Sequence, residues 1–153
     1  MMKQRLLAGC TALVMVVIVP SAEADRGQPI DDIEAWEGEL LSCIENSDFD
    51  CMNALIATHL PNPDKAVLDS VEETIGFLDR WIDDDAVFAV FNMLHDEIGG
   101  RYIRRVFVIE DTSGSDIFLF VMLTNGLGDW YVTDVKVSTH EEDLALWLGV
   151  FLP

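Results

Sequence analysis

Positive charge is what this sequence has least of. Nine lysines and arginines stand against 28 aspartates and glutamates among 153 residues, which gives a formal net charge of −19. A surface of this sign repels nucleic acid and anionic membranes, so neither is a predicted partner. It favours a cationic partner such as a basic protein, although a solvated acidic surface needs no partner at all.

Local motifs for catalysis and metal binding are also missing. The chain has no G-x-S-x-G, Walker or dinucleotide-binding glycine pattern, and no cofactor is predicted. Asn46, Asp48 and Asp50 alternate like the start of a calcium loop. However, Cys51 and Ala57 stand where such a loop needs Gly and Glu, so helix capping explains the three polar residues better.

The N-terminus carries a targeting signature. A basic start, an apolar run and Ala22-Glu23-Ala24 predict that residues 1–24 are a secretory signal peptide, cleaved between Ala24 and Asp25. The alternative is an uncleaved membrane anchor, for which the apolar run is short. We therefore expect a soluble periplasmic or secreted protein with no stable membrane insertion, in which residues 25–153 form a single domain.

Cysteine is scarce: the chain has three, and Cys10 lies in the predicted signal peptide. The remaining two, Cys43 and Cys51, are predicted to form one structural disulfide because an exported protein meets an oxidising environment. A redox-active pair is the alternative, but its C-x-x-C spacing is absent.

Apolar spacing predicts helices through most of the chain before residue 99. The first begins near Pro29, the second is DFDCMNALIATHL with Asp48 as its cap, and the third has Asn62 as its cap. AVFAVFNMLHDEI is interpreted as a fourth helix that ends at Gly99-Gly100. A short C-terminal helix follows from EEDLALWLGVFL.

Three strands are predicted between Arg101 and Val137: RYIRRVFVIE, DIFLFVMLT and DWYVTDVKV, joined by the turns DTSGS and NGLG. The predicted fold class is α+β, with N-terminal helices packed on a curved antiparallel meander and a short C-terminal helix.

The predicted hairpins pair Ile109 with Ile117 and Leu123 with Trp130. This register places the following residues on one face, as the candidate ligand-binding site: Arg105, Phe107, Trp130, Asp134 and Lys136. That face mixes aromatic and charged groups, and its alternative role is a half-solvated outer surface. The opposite face, which includes Val106 and Val108, is more continuously apolar and is expected to pack against the helices.

Residues in these segments carry a family resemblance. The phrases GGRYIRRVFVIE, DIFLFVMLT and GDWYVTDVKVS, after LLSCIENSDFDCMNALI, resemble small secreted bacterial members of the nuclear-transport-factor-two-like cone fold. The resemblance implies a curved antiparallel sheet with helices inside its bend, often around a pocket. That family includes isomerases, dehydratases and ligand binders. Three clear strands are fewer than the family often has, and no catalytic residue is carried over.

Two functions follow as hypotheses. The first is a small, acidic, exported, noncatalytic binding module whose partner is a basic protein or a small ligand. The alternative is a pocket enzyme of the isomerase or dehydratase kind, with His95 or Asp134 as its acid or base.

Overall fold

The computed structural model describes residues 27–82 and 86–150, which contain four helices and one four-stranded sheet. In chain order the elements are α1 (Ile33–Glu45), α2 (Phe49–Thr58), α3 (Lys65–Ile82), β1 (Val87–Ile98), β2 (Tyr102–Asp111), β3 (Asp116–Gly126), β4 (Asp129–Ser138) and α4 (Glu141–Leu148). The sheet is an antiparallel meander in the order β1-β2-β3-β4. The α+β prediction is confirmed, whereas the predicted signal peptide lies outside the described residues.

Side-chain caps start the first three helices. Asp32 accepts a hydrogen bond from the Ala35 amide, and Asp48 accepts one from the Cys51 amide, as predicted for α2. The cap of α3 is Asp64, which accepts from the Val67 amide at 2.9 Å, so the prediction of Asn62 is wrong. Pro63 therefore precedes the cap instead of occupying the first helical position.

The corner between α1 and α2 is closed by the predicted disulfide. Cys43 in the last turn of α1 is bonded to Cys51 in the first turn of α2, and their Cα atoms lie 5.7 Å apart. Closing this short loop restricts the unfolded chain, which on the chain-entropy model stabilises the fold by about 2–3 kcal/mol.

The predicted fourth helix is a strand. Val87, Val90, Phe91 and Leu94 follow helical spacing, but the segment is rich in β-branched and aromatic residues and forms β1, paired along its length with β2. Gly99 and Gly100, with φ of 60° and 63°, form the turn of this hairpin instead of ending a helix. Pairing with β2 decides between two structures that the local pattern allows equally.

The register of the sheet explains where its side chains point. Ile109 lies opposite Ile117, as predicted. In the next hairpin Trp130 lies opposite Asn125, not Leu123, and a bulge at Thr133 separates the pairs Met122–Asp134 and Leu123–Val132. An extra residue reverses the alternation of the strand beyond it.

Helices α1 to α3 pack on one face of the sheet, which we call the inner face, and α4 lies on the other, the outer face. The inner face carries the following buried residues: Ile103, Phe107, Ile109, Ile117, Leu119, Val121, Leu123 and Val132. Their helical partners in the core include Leu40, Ile44, Met52, Ile56, Ile75, Leu78 and Ile82. The prediction that these helices cover the Val106–Val108 face is therefore wrong.

Candidate functional site

The five residues predicted to share one face are divided between both faces. Arg105, Phe107 and Trp130 belong to the inner face, whereas Asp134 and Lys136 lie on the outer face opposite Met122 and Phe120. The bulge at Thr133 causes this division. It turns Val135 and Val137 toward the core and the two charged residues toward solvent, which favours burial of apolar surface and avoids burial of charge.

The inner part of the predicted site is filled. Arg105 is 2% exposed and Phe107 is 1% exposed, while Trp130 packs against the core from a partly buried position. A ligand therefore has no direct access to the side chains of Arg105 and Phe107.

The buried Arg105 contacts a partly buried carboxylate of α1 and an exposed histidine of β1. Its Nη2 lies 2.5 Å from Glu37 Oε1 of α1 and 2.9 Å from His95 Nε2 of β1. His95 Nδ1 lies 3.9 Å from the other oxygen of Glu37, Oε2. Sequence reasoning singled out His95 and Arg105 separately, but it missed Glu37 because nothing local links α1 to the sheet.

The Glu37–Arg105–His95 cluster is best explained as structural. A guanidinium removed from water needs a counter-charge, and Glu37 supplies it. Arg105 donates a hydrogen bond to His95 Nε2, so this ring nitrogen is already engaged. The pairing is incomplete, because Arg105 Nε is buried without a hydrogen-bond partner and Glu37 Oε1 meets the guanidinium without hydrogen-bond geometry.

Polar and aromatic groups pair with one another on the outer face. Lys136 forms an ion pair with Asp134, and its Nζ lies 5.2 Å from the centre of the Phe120 ring. Phe120 in turn contacts Trp147 of α4, with ring centres 5.7 Å apart. This contact attaches α4 to one side of the outer face.

On the other side of α4 lies a groove with an apolar floor, which we call the outer groove. Its volume is about 500 Å³. The apolar lining comprises Phe91, Met93, Val108, Phe118, Leu144, Ala145, Leu148 and Val150. Three carboxylates complete its lining: Glu110, Asp116 and Glu141. An apolar floor with an acidic margin suits a group that is itself apolar and positively charged.

A second cavity, of about 540 Å³, lies between the α1–α2 corner and α3. Asp48, Asp50, Glu72 and Asp79 give it acidic walls, and Asp48 is already engaged as the cap of α2. Within residues 27–82 and 86–150, no three His, Cys, Asp or Glu side chains are arranged to hold a metal ion.

The turn between β2 and β3 holds a buried carboxylate. Asp111 Oδ1 accepts hydrogen bonds from the Ser113 hydroxyl at 2.6 Å and from the amides of Ser113 and Ser115. The Ser113 hydroxyl, followed by these amides, lowers the pKa of Asp111 below its ordinary value, while burial opposes the shift. Because these partners all belong to one tight turn, they order the turn and do not form a reactive site.

No family model, curated protein or solved structure matches this chain. In the part of the chain that the structure describes, no helix combines the length and the apolar character that crossing a membrane requires.

Proposed function

We propose that this protein is a noncatalytic, exported binding module whose partner is a basic protein. The observation that carries the proposal is the outer groove, which has a volume of about 500 Å³. Its floor is apolar, and Glu110, Asp116 and Glu141 complete its lining. A basic partner would gain apolar burial in the groove and electrostatic attraction at its margin. The chain's charge of −19 would steer the encounter from a distance.

The candidate catalytic groups support a noncatalytic role. Glu37 and His95 are engaged with the buried Arg105, and Asp134 is paired with Lys136. A general acid or base needs a proton-transfer position open to substrate, and these contacts occupy Nε2 of His95 and Oδ2 of Asp134. We therefore favour a binding role over the alternative of a pocket enzyme.

Export is the second part of the proposal. We propose cleavage after Ala24, leaving one domain over residues 25–153 in the periplasm or outside the cell. The Cys43–Cys51 disulfide supports it, because such bonds persist in oxidising compartments.

Co-purification from the native compartment tests the binding function. The full chain is expressed with its own leader, captured at low ionic strength and washed with increasing salt. We expect a protein rich in Lys and Arg to be retained at low salt and released as the salt screens the charges. Retention of no protein at low salt, together with a small molecule that raises the melting temperature, would overturn the proposal in favour of a small-ligand site.

A charge-matched control separates steering from the groove itself. Replacement of Glu110 and Asp116 by Gln and Asn removes two groove carboxylates, whereas Glu72→Gln with Asp79→Asn removes two from the α3 surface. We expect the first pair to weaken partner retention more than the second. Equal loss from both would mean that net charge alone holds the partner.

A further inference from the structure

We infer that the edge of β1 that pairs with no other described strand receives an extended, basic segment of the partner protein, which adds to the sheet as a further strand beside β1. The inference rests on the proposed function, and it specifies that the partner's segment is extended and binds beside β1. Strand addition supplies affinity through backbone hydrogen bonds, and pockets for alternate side chains supply specificity.

The two edges of the sheet are covered differently. On the β4 edge, the Ile30 amide donates to the Trp130 carbonyl at 2.8 Å, and the Val132 amide donates to the His59 carbonyl at 2.9 Å. On the β1 edge, the described residues provide a hydrogen bond to the strand backbone at the start, where the Val87 amide donates to Ser47 Oγ. Helix α1 also contacts β1, through Glu37 and the side chain of His95. Between that point and the turn after Ile98, β1 pairs with β2 alone among the described elements.

The composition of β1 makes this open edge unusual. The stretch VFAVFNML contains no charge, proline or glycine, and Phe88, Phe91 and Met93 are 71%, 49% and 51% exposed. Proteins commonly protect an exposed edge with Lys, with Pro, with bulges or by keeping the strand short, because an apolar edge pairs with other chains. Here bulges at Phe88 and Met93 interrupt the pairing but leave Leu94–Ile98 in regular register.

The edge is continuous with the outer groove. Phe91 shares the outer face with Val108, and both Phe91 and Met93 line the groove. Because side chains alternate along a strand, a segment added beside β1 would direct every second side chain to the outer face, next to these two residues. The same segment would therefore gain backbone pairing at the edge and apolar contact in the groove.

Charge decides between a basic partner and a second copy of this chain. Asp96 near the end of β1 is already paired with Arg104, but Glu97 lies beside it, and Glu110, Asp116 and Glu141 line the adjoining groove. Two copies, each with a formal charge of −19, would bring like charges together at a β1–β1 contact. A Lys- or Arg-bearing segment complements the same groups.

Synthetic peptides test the mode of binding on the full-length protein. The probe is an end-blocked octapeptide of alternating Lys and Val, and the charge control is the same peptide with Glu in place of Lys. Two further peptides carry N-methyl groups on all Val residues or on all Lys residues. Alternate residues of a strand direct their amides to opposite sides, so one methylated peptide should lose affinity about tenfold and the other should not. Equal binding of both methylated peptides, or binding of the Glu peptide, would overturn the inference.

Matched lysine substitutions locate the binding edge. Phe91→Lys and Met93→Lys place a cation on the edge, whereas Leu127→Lys places one at an exposed apolar position in the β3–β4 turn. The three variants have the same net charge, and their melting temperatures check the fold. We expect about tenfold weaker binding of the Lys–Val peptide by both edge variants and an unchanged affinity for the turn variant. Unchanged binding by the edge variants would overturn the inference.

Two measurements separate this inference from the proposed function. If the native partner is retained equally by the wild-type chain and by Phe91→Lys, the binding function stands and the edge assignment fails. Sedimentation of the protein alone provides the second measurement. A dimer that Phe91→Lys dissociates would show that a second copy occupies the edge, and this would also overturn the inference.

Discussion

The inner and outer faces of the sheet differ in how completely this chain covers them. The inner face is packed against α1, α2 and α3, and the buried charge of Arg105 is matched by Glu37. The outer face is crossed by α4 alone among the described helices, so Phe91 and Met93 at its edge remain half exposed. Most of the face predicted as a ligand site forms the core, whereas the more apolar face predicted to pack against the helices is left partly open.

The largest expected effect comes from leaving the inner-face charge without its partner. Glu37→Ala should lower the free energy of unfolding by about 3 kcal/mol, because Arg105 would remain buried and unpaired. Urea denaturation measures the change, with the exposed Glu39→Ala on the same helix as the control. Glu37→Leu combined with Arg105→Met should recover most of the loss, and failure to recover it would contradict an electrostatic cause.

Two neighbouring residues of β4 test the division of the faces directly. Val135→Asp places a charge on the inner face and should cost about 2–3 kcal/mol. Asp134→Val removes a partly exposed ion pair on the outer face and should cost less than about 1 kcal/mol. Chemical denaturation measures both losses of stability. The register without a bulge, which the sequence predicted, would make Asp134→Val more costly than Val135→Asp.

The assignment of residues to the two faces illustrates what the sequence could and could not predict. The Asp48 cap, the Cys43–Cys51 disulfide and the Ile109–Ile117 hairpin register follow from local rules, and the structure confirms them. The bulge at Thr133 shows in the sequence only as a change of phase between Val132 and the later Val135 and Val137. The prediction assumed continuous alternation, so the faces of Asp134 and Lys136 were assigned wrongly.

The missed strand and the missed ion pair have a common cause. In β1 the apolar spacing fits a helix, and pairing with β2, the next strand of the same hairpin, selects the strand. The β-branched and aromatic content, followed by Gly99-Gly100 before a second such run, was a signal for a hairpin. Glu37 and Arg105 are likewise brought together by folding alone.

The turn that joins β3 and β4 offers a smaller, stabilising change. Leu127 has a φ of 61°, in the left-handed region that a leucine side chain disfavours, and Gly128 follows it. Leu127→Asn creates an Asn-Gly turn and should raise the free energy of unfolding by about 1 kcal/mol. Thermal denaturation measures the gain, and Leu127→Val, which is β-branched, should lower stability at the same position.

The smallest effect is expected at the turn between β2 and β3. The pKa of Asp111 is lower in the folded protein than in the unfolded chain. Its ionised form therefore stabilises the fold at pH values above the unfolded-state pKa. This stabilisation is lost as the pH falls through the folded-state pKa. The stability difference between wild type and Asp111→Asn should therefore be largest near neutral pH and should shrink from about pH 4 downward. A difference that is the same at neutral and at acidic pH would contradict this assignment.

Site-specific photo-crosslinking in the native compartment tests most directly whether the outer side binds a partner. A photoreactive residue replaces Phe91 beside the outer groove or, as the matched control, the exposed Val67 on α3. We predict a salt-sensitive crosslink from position 91, and none from position 67, to a protein that mass spectrometry identifies as basic. A crosslink from position 67 with none from position 91 would contradict the account, because it would place the partner on the helical side of the molecule.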